Sequence, residues 1–383
     1  MRILISAGEA SGDLYASRLV EALRNRYPEA EFFGCAGPRM QAAGVRPVVD
    51  ARSLSVVGIV EVIAHLARIW HEFRKLVAAA ESDRPDLAIL TDSPDFHLRL
   101  AKRLRRLNIP VVYLIAPQAW AWREGRVRTM RATIARLLCI FPFEQEFFTR
   151  KGVPTTYIGH PLSSVVKPQL SRTEFNARFG FAEDSRLLAI LPGSRHGEAV
   201  RHIPILLDSV RRILSKHSLT PVMALPPAFG FDSSKLRKVV QAAQVTVIEG
   251  FTWDVLARSE LALAASGTVT IEAALLGVPM VTFYRVNQLS WILGRWLVRA
   301  PFLTMVNLVA GHRVVPELIQ QDMTADRISE EACRLLESPE RLEAMRSDLA
   351  EVAARLTTER DPMEVAANCI ERVLKPDPEI SGG

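Results

Sequence analysis

The sequence predicts an α/β protein of two Rossmann-like, doubly wound halves facing a central cleft. Three observations lead there. The chain has 383 residues, which favours two domains over one. Short apolar runs alternate with amphipathic stretches and lack tight hairpin turns between them, as parallel strands joined by crossover helices do. The alternation also starts afresh near residue 187, after a polar stretch at 160–185 that carries Pro161 and Pro168.

RILIS (2–6) is a short apolar run and reads as the first strand, followed by a helical pattern over 13–26. EFFGCAG (31–37) is the next strand, 58–80 a long helix, DLAILT (86–91) a strand and 94–107 a helix. VVYLIAP (111–117), a helix over 123–135 and the strand RLLCIFP (136–142) complete this half. The second half repeats the pattern, with strands at 187–193, 221–226, 245–250, 261–266 and 279–285. Helices at 197–215, 233–243, 253–258 and 268–276 lie between them, and more helices run to about 373. Domains at 1–165 and 175–345 follow, with the Pro/Gly/Ser-bearing tail at 376–383 expected to be disordered.

Composition narrows the function. Apolar residues make up 49% and charged residues 23%, ordinary for a soluble protein with large cores. A net charge of +6 and a pI near 9.3 favour a phosphate-bearing or anionic partner. The basic residues alternate with acids and show no aromatic RNA-binding motif, so no nucleic-acid partner is expected. No stretch reaches the ~18 apolar residues of a membrane span, and Ser6-Ala7-Gly8-Glu9 breaks the apolar opening, so neither a spanning helix nor an export signal is expected. Cys35, Cys139, Cys333 and Cys369 lack metal-ligand spacing and read as reduced thiols. No metal site is expected.

Ligands of doubly wound sheets bind beyond the carboxyl ends of the strands, so the loops there are the places to look for chemistry. GEASGD (8–13) is not a dinucleotide fingerprint; Ser11 or Asp13 can cap the next helix, and Glu9 lies before that cap. In LAILTDSPDFHL (87–98), Ser93 as N-cap, Pro94 at N1 and Asp95 at N2 suit a helix start. Asp92 falls outside that helix, where an acid costs solvation, and is a candidate catalytic acid or base. APQAWAWREGRV (116–127) offers Gln118, Trp120 and Arg123 as a cleft wall. LPGSR (191–195) ends in Ser194 and Arg195, and a Gly-Ser-Arg turn at a helix start suits phosphate. Ser266, Gly267 and Thr268 open another helix whose first N–H groups can meet a diphosphate, with Glu272 placed to accept from ribose hydroxyls.

Two surfaces are unusually apolar. Ile63, Leu66, Ile69, Trp70 and Phe73 follow helical spacing, interleaved with His65, Arg68, His71 and Arg74. They read either as a core-facing helix or as a basic amphipathic helix that meets lipid. The stretch 289–306 is equally greasy, and Asn307 follows it.

These segments together resemble the lipid-A-disaccharide synthases, inverting glycosyltransferases of Gram-negative outer-membrane biogenesis. The resemblance rests on GEASGD (8–13), AGPRM (36–40), GIVEV (58–62), TDSPDF (91–96), QAWAWR (118–123), FPFE (141–144), IGHP (158–161), LPGSR (191–195), SGTVTIE (266–272) and NLVAG (307–311), in that order. It implies a GT-B fold in which 1–165 holds the acceptor, 175–345 the donor, and helices at 346–375 pack back on the first domain. It implies UDP-2,3-diacylglucosamine as donor, 2,3-diacylglucosamine 1-phosphate (lipid X) as acceptor, no required metal or other cofactor, and peripheral attachment to the cytoplasmic face of the inner membrane. A homodimer is left open. The general base falls on Asp92, with Glu9 and Asp95 beside it, and Arg195 and Asn307 fall on the donor side. Family members often carry serine where this chain has Ala116. Other readings are a different GT-B enzyme, such as a lipid-linked N-acetylglucosaminyltransferase or a UDP-sugar 2-epimerase, and a two-lobed binding protein.

Overall fold

Apolar runs of four or five residues form strands that are buried along their length, as in β4 (Leu87–Thr91), β5 (Val111–Leu114) and β8 (Leu187–Leu191). Such runs need cover on both faces, which parallel sheets flanked by helices provide. The structure, a computed structural model, describes residues 1–53, 66–121, 124–227, 229, 234–286 and 300–375.

The first sheet adds β1 (Arg2–Ser6), β2 (Glu31–Ala36), β3 (Arg46–Asp50), β6 (Arg136–Cys139) and β7 (Thr155–Tyr157), in the order β3-β2-β1-β4-β5-β6-β7. The second contains β8, β9 (Thr220–Leu225), β10 (Thr246–Glu249), β11 (Ser259–Ala265), β12 (Met280–Tyr284) and β13 (Glu317–Ile319), in the order β10-β9-β8-β11-β12-β13. Among the described residues every strand pair is parallel. Each sheet is therefore doubly wound, as the sequence predicts. Strand order reverses between β1 and β4 in one sheet and between β8 and β11 in the other, and these switch points are where such sheets bind ligands.

The first unit comprises Met1–Pro161 together with the chain from Thr358, and the second Leu162–Thr357. In the first, Leu4, Phe33, Ala88, Leu90 and Tyr113 of the sheet pack against Leu100 and Leu104 of the helix Pro94–Arg106 and against Phe73 and Leu76 of the helix Leu66–Asp83. The helix Pro362–Leu374 lies on the helix Ala10–Arg26. Arg26 pairs there with Glu364 and, at 2.7 Å, with Glu371. Pro339–Leu356 instead packs on the helices Thr268–Leu275 and Met305–Ala310 of the second unit. Residues 346–356 thus belong to that unit, contrary to the expected return at 346. The expected linker also carries structure. Ser171 and Glu174 form a capping box that starts the helix Arg172–Phe179, and Phe175 is buried against Phe179 and Phe181. The tail at 376–383 lies outside the described residues.

Candidate active site

β4 ends in two consecutive left-handed residues, Asp92 (φ +53°) and Ser93 (φ +34°). Neither is glycine, and each such residue costs on the order of 1–3 kcal/mol unless its surroundings enforce it. Here they do. The Asp92 carbonyl accepts a hydrogen bond from the Tyr113 hydroxyl (2.5 Å) and another from His97 Nδ1 (3.0 Å). A carbonyl only accepts, so Nδ1 carries the proton, and Nε2 accepts from the Ser6 hydroxyl at 2.8 Å. Burial holds the His97 pKa down to about 4, so the ring is neutral.

This turn projects the Asp92 carboxylate back across the switch point onto the loop after β1. The Gly8 N–H donates to both carboxylate oxygens (2.9 and 3.1 Å), and the Glu9 N–H donates to Oδ2 (3.0 Å). Glycines make the approach feasible. A Cβ on Gly12 would lie 1.8 Å from Asp92 Oδ2, and one on Gly8 2.6 Å from Ser93 Oγ. Burial raises the Asp92 pKa to about 7; the Gly8 and Glu9 N–H groups and the Ser93 hydroxyl oppose it, and the Glu9 charge adds to it. A carboxylate poised near neutrality is what a general base needs.

Glu9 itself is exposed, and beside its charge it contributes the backbone N–H that Asp92 accepts. Asp95 is exposed at the start of the helix Pro94–Arg106 and forms an ion pair with Arg126 at 2.7 Å. Pro94 takes N1 and Ser93 the N-cap position as expected, but the Ser93 hydroxyl makes no capping hydrogen bond and instead serves Asp92. Ser11 is no cap either. The helix Ala10–Arg26 starts behind Glu9, and Ser11 is exposed. Asp13 caps a different helix, accepting from the N–H groups of Arg39 (3.0 Å) and Met40 (3.1 Å) at the head of Pro38–Ala42.

In the loop after β5, Gln118 is exposed and Trp120 half-buried. The Trp120 indole N–H donates to Glu144 Oε1 at 3.0 Å, and its ring meets Phe143 edge-on at 5.0 Å. Glu144, which sequence reasoning missed as a site residue, is 1% exposed and its pKa is pushed up to about 8 by burial. Arg123 and Ile63 lie outside the described residues, as does the side chain of Leu66. Trp70 is exposed and Ile69 half-buried, but Phe73 belongs to the core, stacked on Trp70 at 5.3 Å and edge-on to Phe96 at 5.7 Å.

At the switch point of the second sheet, Gly193 (φ +122°) turns the chain after β8. Ser194 and Arg195 follow, both exposed, with Arg195 3.5 Å from Glu198. His202 holds this loop, Nδ1 donating to the Pro192 carbonyl at 2.7 Å. After β11, Ser266 and Gly267 lead into the helix Thr268–Leu275, where the Gly267 carbonyl takes the Thr270 N–H at 3.1 Å and the Thr268 and Val269 N–H groups form the open helix start. Glu272 sits one turn in. Burial raises its pKa to about 7, opposed by a hydrogen bond from the Trp253 side chain. Both loops thus present helix starts at one switch point. Asn307 is not among them. It is fully buried: its Oδ1 accepts from the N–H groups of Val314 (2.8 Å) and Val315 (2.9 Å), and its Nδ2 donates to Val315 O (3.0 Å) and Glu317 Oε1 (2.9 Å). Those bonds fill the amide's capacity, so it braces the approach to β13 and has nothing left to offer a nucleotide.

The first unit thus carries a base-like carboxylate at its switch point, and the second carries helix starts suited to an anion at its own. The family model described as lipid-A-disaccharide synthetase matches residues 3–368. The chain belongs to the lipid-A-disaccharide synthetase family. A lipid-A-disaccharide synthase of Solibacter usitatus is 56% identical over 374 residues, covering 98% of each chain. The glycotransferase of kitacinnamycin has a TM-score of 0.64 at 17% identity, over 97% of this chain and 98% of that one. A UDP-GlcNAc 2-epimerase from Neisseria meningitidis, bound to UDP-GlcNAc, also has a TM-score of 0.64, at 15% identity over 98% of this chain and 99% of that one. At such identities these two report the fold alone, which is GT-B. As a lipid-A-disaccharide synthetase family member, the chain is a glycosyltransferase enzyme of lipid A biosynthesis.

Proposed function

We propose that the enzyme transfers the sugar of UDP-2,3-diacylglucosamine to the 6-hydroxyl of lipid X, with inversion, giving the β-1,6-linked disaccharide 1-phosphate and UDP. The observation that carries this reading is the Asp92 carboxylate, raised to about 7 and aimed from the end of β4. Asp92 takes the hydroxyl proton as the acceptor oxygen attacks the anomeric carbon, and the bond to the diphosphate breaks with its electron pair leaving on UDP. Arg195 and the helix starts at Ser194 and Ser266–Thr268 receive the developing charge, so the step needs no resident metal or other cofactor. Glu272 accepts from the ribose hydroxyls. Trp120, held by Glu144, and Gln118 line the acceptor side.

Among the described residues, no helix is long and apolar enough to cross a membrane. Trp70 is 53% exposed, and the side chains of Arg68, His71, Arg74 and Lys75 beside it are exposed too. An exposed tryptophan among basic residues supports peripheral attachment to an anionic leaflet, in this reading the cytoplasmic face of the inner membrane.

The test is an assay of the purified chain with both lipids, with and without EDTA. Disaccharide is expected in both arms, and its absence from both would overturn the reaction. Loss with EDTA alone would overturn only the metal-free step. Asp92→Asn should lower turnover by about 10²–10⁴-fold with the fold intact by circular dichroism; near-normal turnover would remove Asp92 from the role of base.

A further inference from the structure

The helix His196–Leu214 carries the chain from β8 to β9, so its far end lies at the amino ends of the parallel strands. That edge of the second sheet is opposite the loops of Arg195 and Thr268. The helix Ala325–Leu336 packs against it. Together they assemble three metal-ligating side chains that the proposed reaction does not use. His217 follows the first helix, Cys333 lies in the last turn of the second, and Glu337 is its C-cap residue. One ligand atom from each lies within 4.8 Å of the other two, with His217 Nε2 3.8 Å from Glu337 Oε1.

Two details separate this trio from a chance surface cluster. His217 Nε2 is buried, and among the described residues no group hydrogen-bonds to it. A buried imidazole nitrogen without a partner is costly and calls for an explanation. Cys333 is only 5% exposed, whereas the Glu337 side chain is 58% exposed and can swing inward. Imidazole nitrogen, thiolate sulfur and carboxylate oxygen are together a ligand set for a borderline-soft divalent ion, with water as fourth ligand. Metal bonds of about 2.0–2.3 Å would draw the three donors together from their present spacing.

We propose that His217, Cys333 and Glu337 bind one zinc-class divalent ion that ties the ends of these two helices together. Binding forms one bond each to Nε2, Sγ and a carboxylate oxygen, and releases the thiol proton to solvent without any redox change. The ion is structural, since it sits at the edge of the sheet opposite the proposed donor loops.

The experiment is a cobalt(II) titration of the metal-stripped, full-length protein, followed by zinc(II) competition. One equivalent should bind, with a thiolate-to-cobalt charge-transfer band and the intense visible bands of tetrahedral cobalt, and zinc should bleach both. Cys333→Ser should abolish the charge-transfer band, and Glu337→Gln, at an exposed position that leaves the fold intact, should weaken binding by about tenfold or more. Zinc should raise the melting temperature of the wild type and not that of Cys333→Ser. No stoichiometric binding, or a charge-transfer band that survives Cys333→Ser and so belongs to another thiol, would overturn the site. Glycosyl transfer should be unaffected by zinc removal at a temperature where the protein stays folded, so this result is independent of the transfer assay.

Discussion

At the scale of single residues, Asp92 depends on what its neighbours lack. Gly12 has no side chain because the carboxylate occupies that space. Gly12→Ala should displace the carboxylate from the Gly8 and Glu9 N–H groups and lower kcat by about 10²-fold or more, by analogy with displaced catalytic groups, while the melting temperature moves by only a few degrees. Retained kcat would show that the carboxylate position is not critical. The pH profile is a second check. A base must be ionised, so kcat/KM should rise as pH increases through about 7 and level off above it. That limb should vanish in Asp92→Asn. Asp92 was legible in the sequence, because it stands at a strand end with no helix to start. His97 and Tyr113 were not. They lie 5 and 21 residues from Asp92, and no local pattern tells a core histidine or tyrosine from one that clamps a carbonyl.

At the scale of elements, long apolar runs were readable and short ones were not. β7 and β13 have three residues each, too few for a period, and only their neighbours in the sheet make them strands. The helix Pro142–Arg150 was missed because its phenylalanines continue the apolar run of β6. Asp13 was assigned to the wrong helix, since its partners lie 26 and 27 residues away. The NLVAG resemblance puts Asn307 on the donor side, but a motif does not report that its amide is buried and fully bonded. Asn307→Ala should leave the buried N–H groups of Val314 and Val315 with unmet hydrogen bonds and cost roughly 2 kcal/mol or more. The checks are chemical denaturation and donor KM. A loss of donor affinity at unchanged stability would restore it to the donor site.

At the scale of the whole molecule, both sheets follow one winding rule, and this was the most legible feature, because it needs only the alternation of strands and helices. The division at Pro161 and Thr358 was less so. Proline and polar spacing do not report which sheet a helix covers. Three carboxyls with raised pKa values set a further property of the whole chain. Asp92 and Glu272 are raised to about 7 and Glu144 to about 8, so between their ordinary values near 4 and those values the folded chain binds more protons than the unfolded one. Stability contributed by these groups should therefore fall as pH rises from about 4.5 to 8. Glu144→Gln should flatten the slope in thermal melts across that range, and a slope unchanged by it would exclude Glu144 as a contributor.

The left-handed pair at the end of β4 sets fitness for work against fitness to endure. Residue 92 must hold a charge that its surroundings disfavour, on a left-handed backbone. Asparagine takes that backbone as readily as aspartate and carries no charge. Asp92→Asn should thus melt above the wild type at pH 8 even as it silences transfer, and a lower melting temperature would refute this. A screen that rewards heat resistance alone would drift toward inactive enzymes at this position. The same variant is also the natural choice for capturing donor and acceptor together, because it keeps the turn and removes the base.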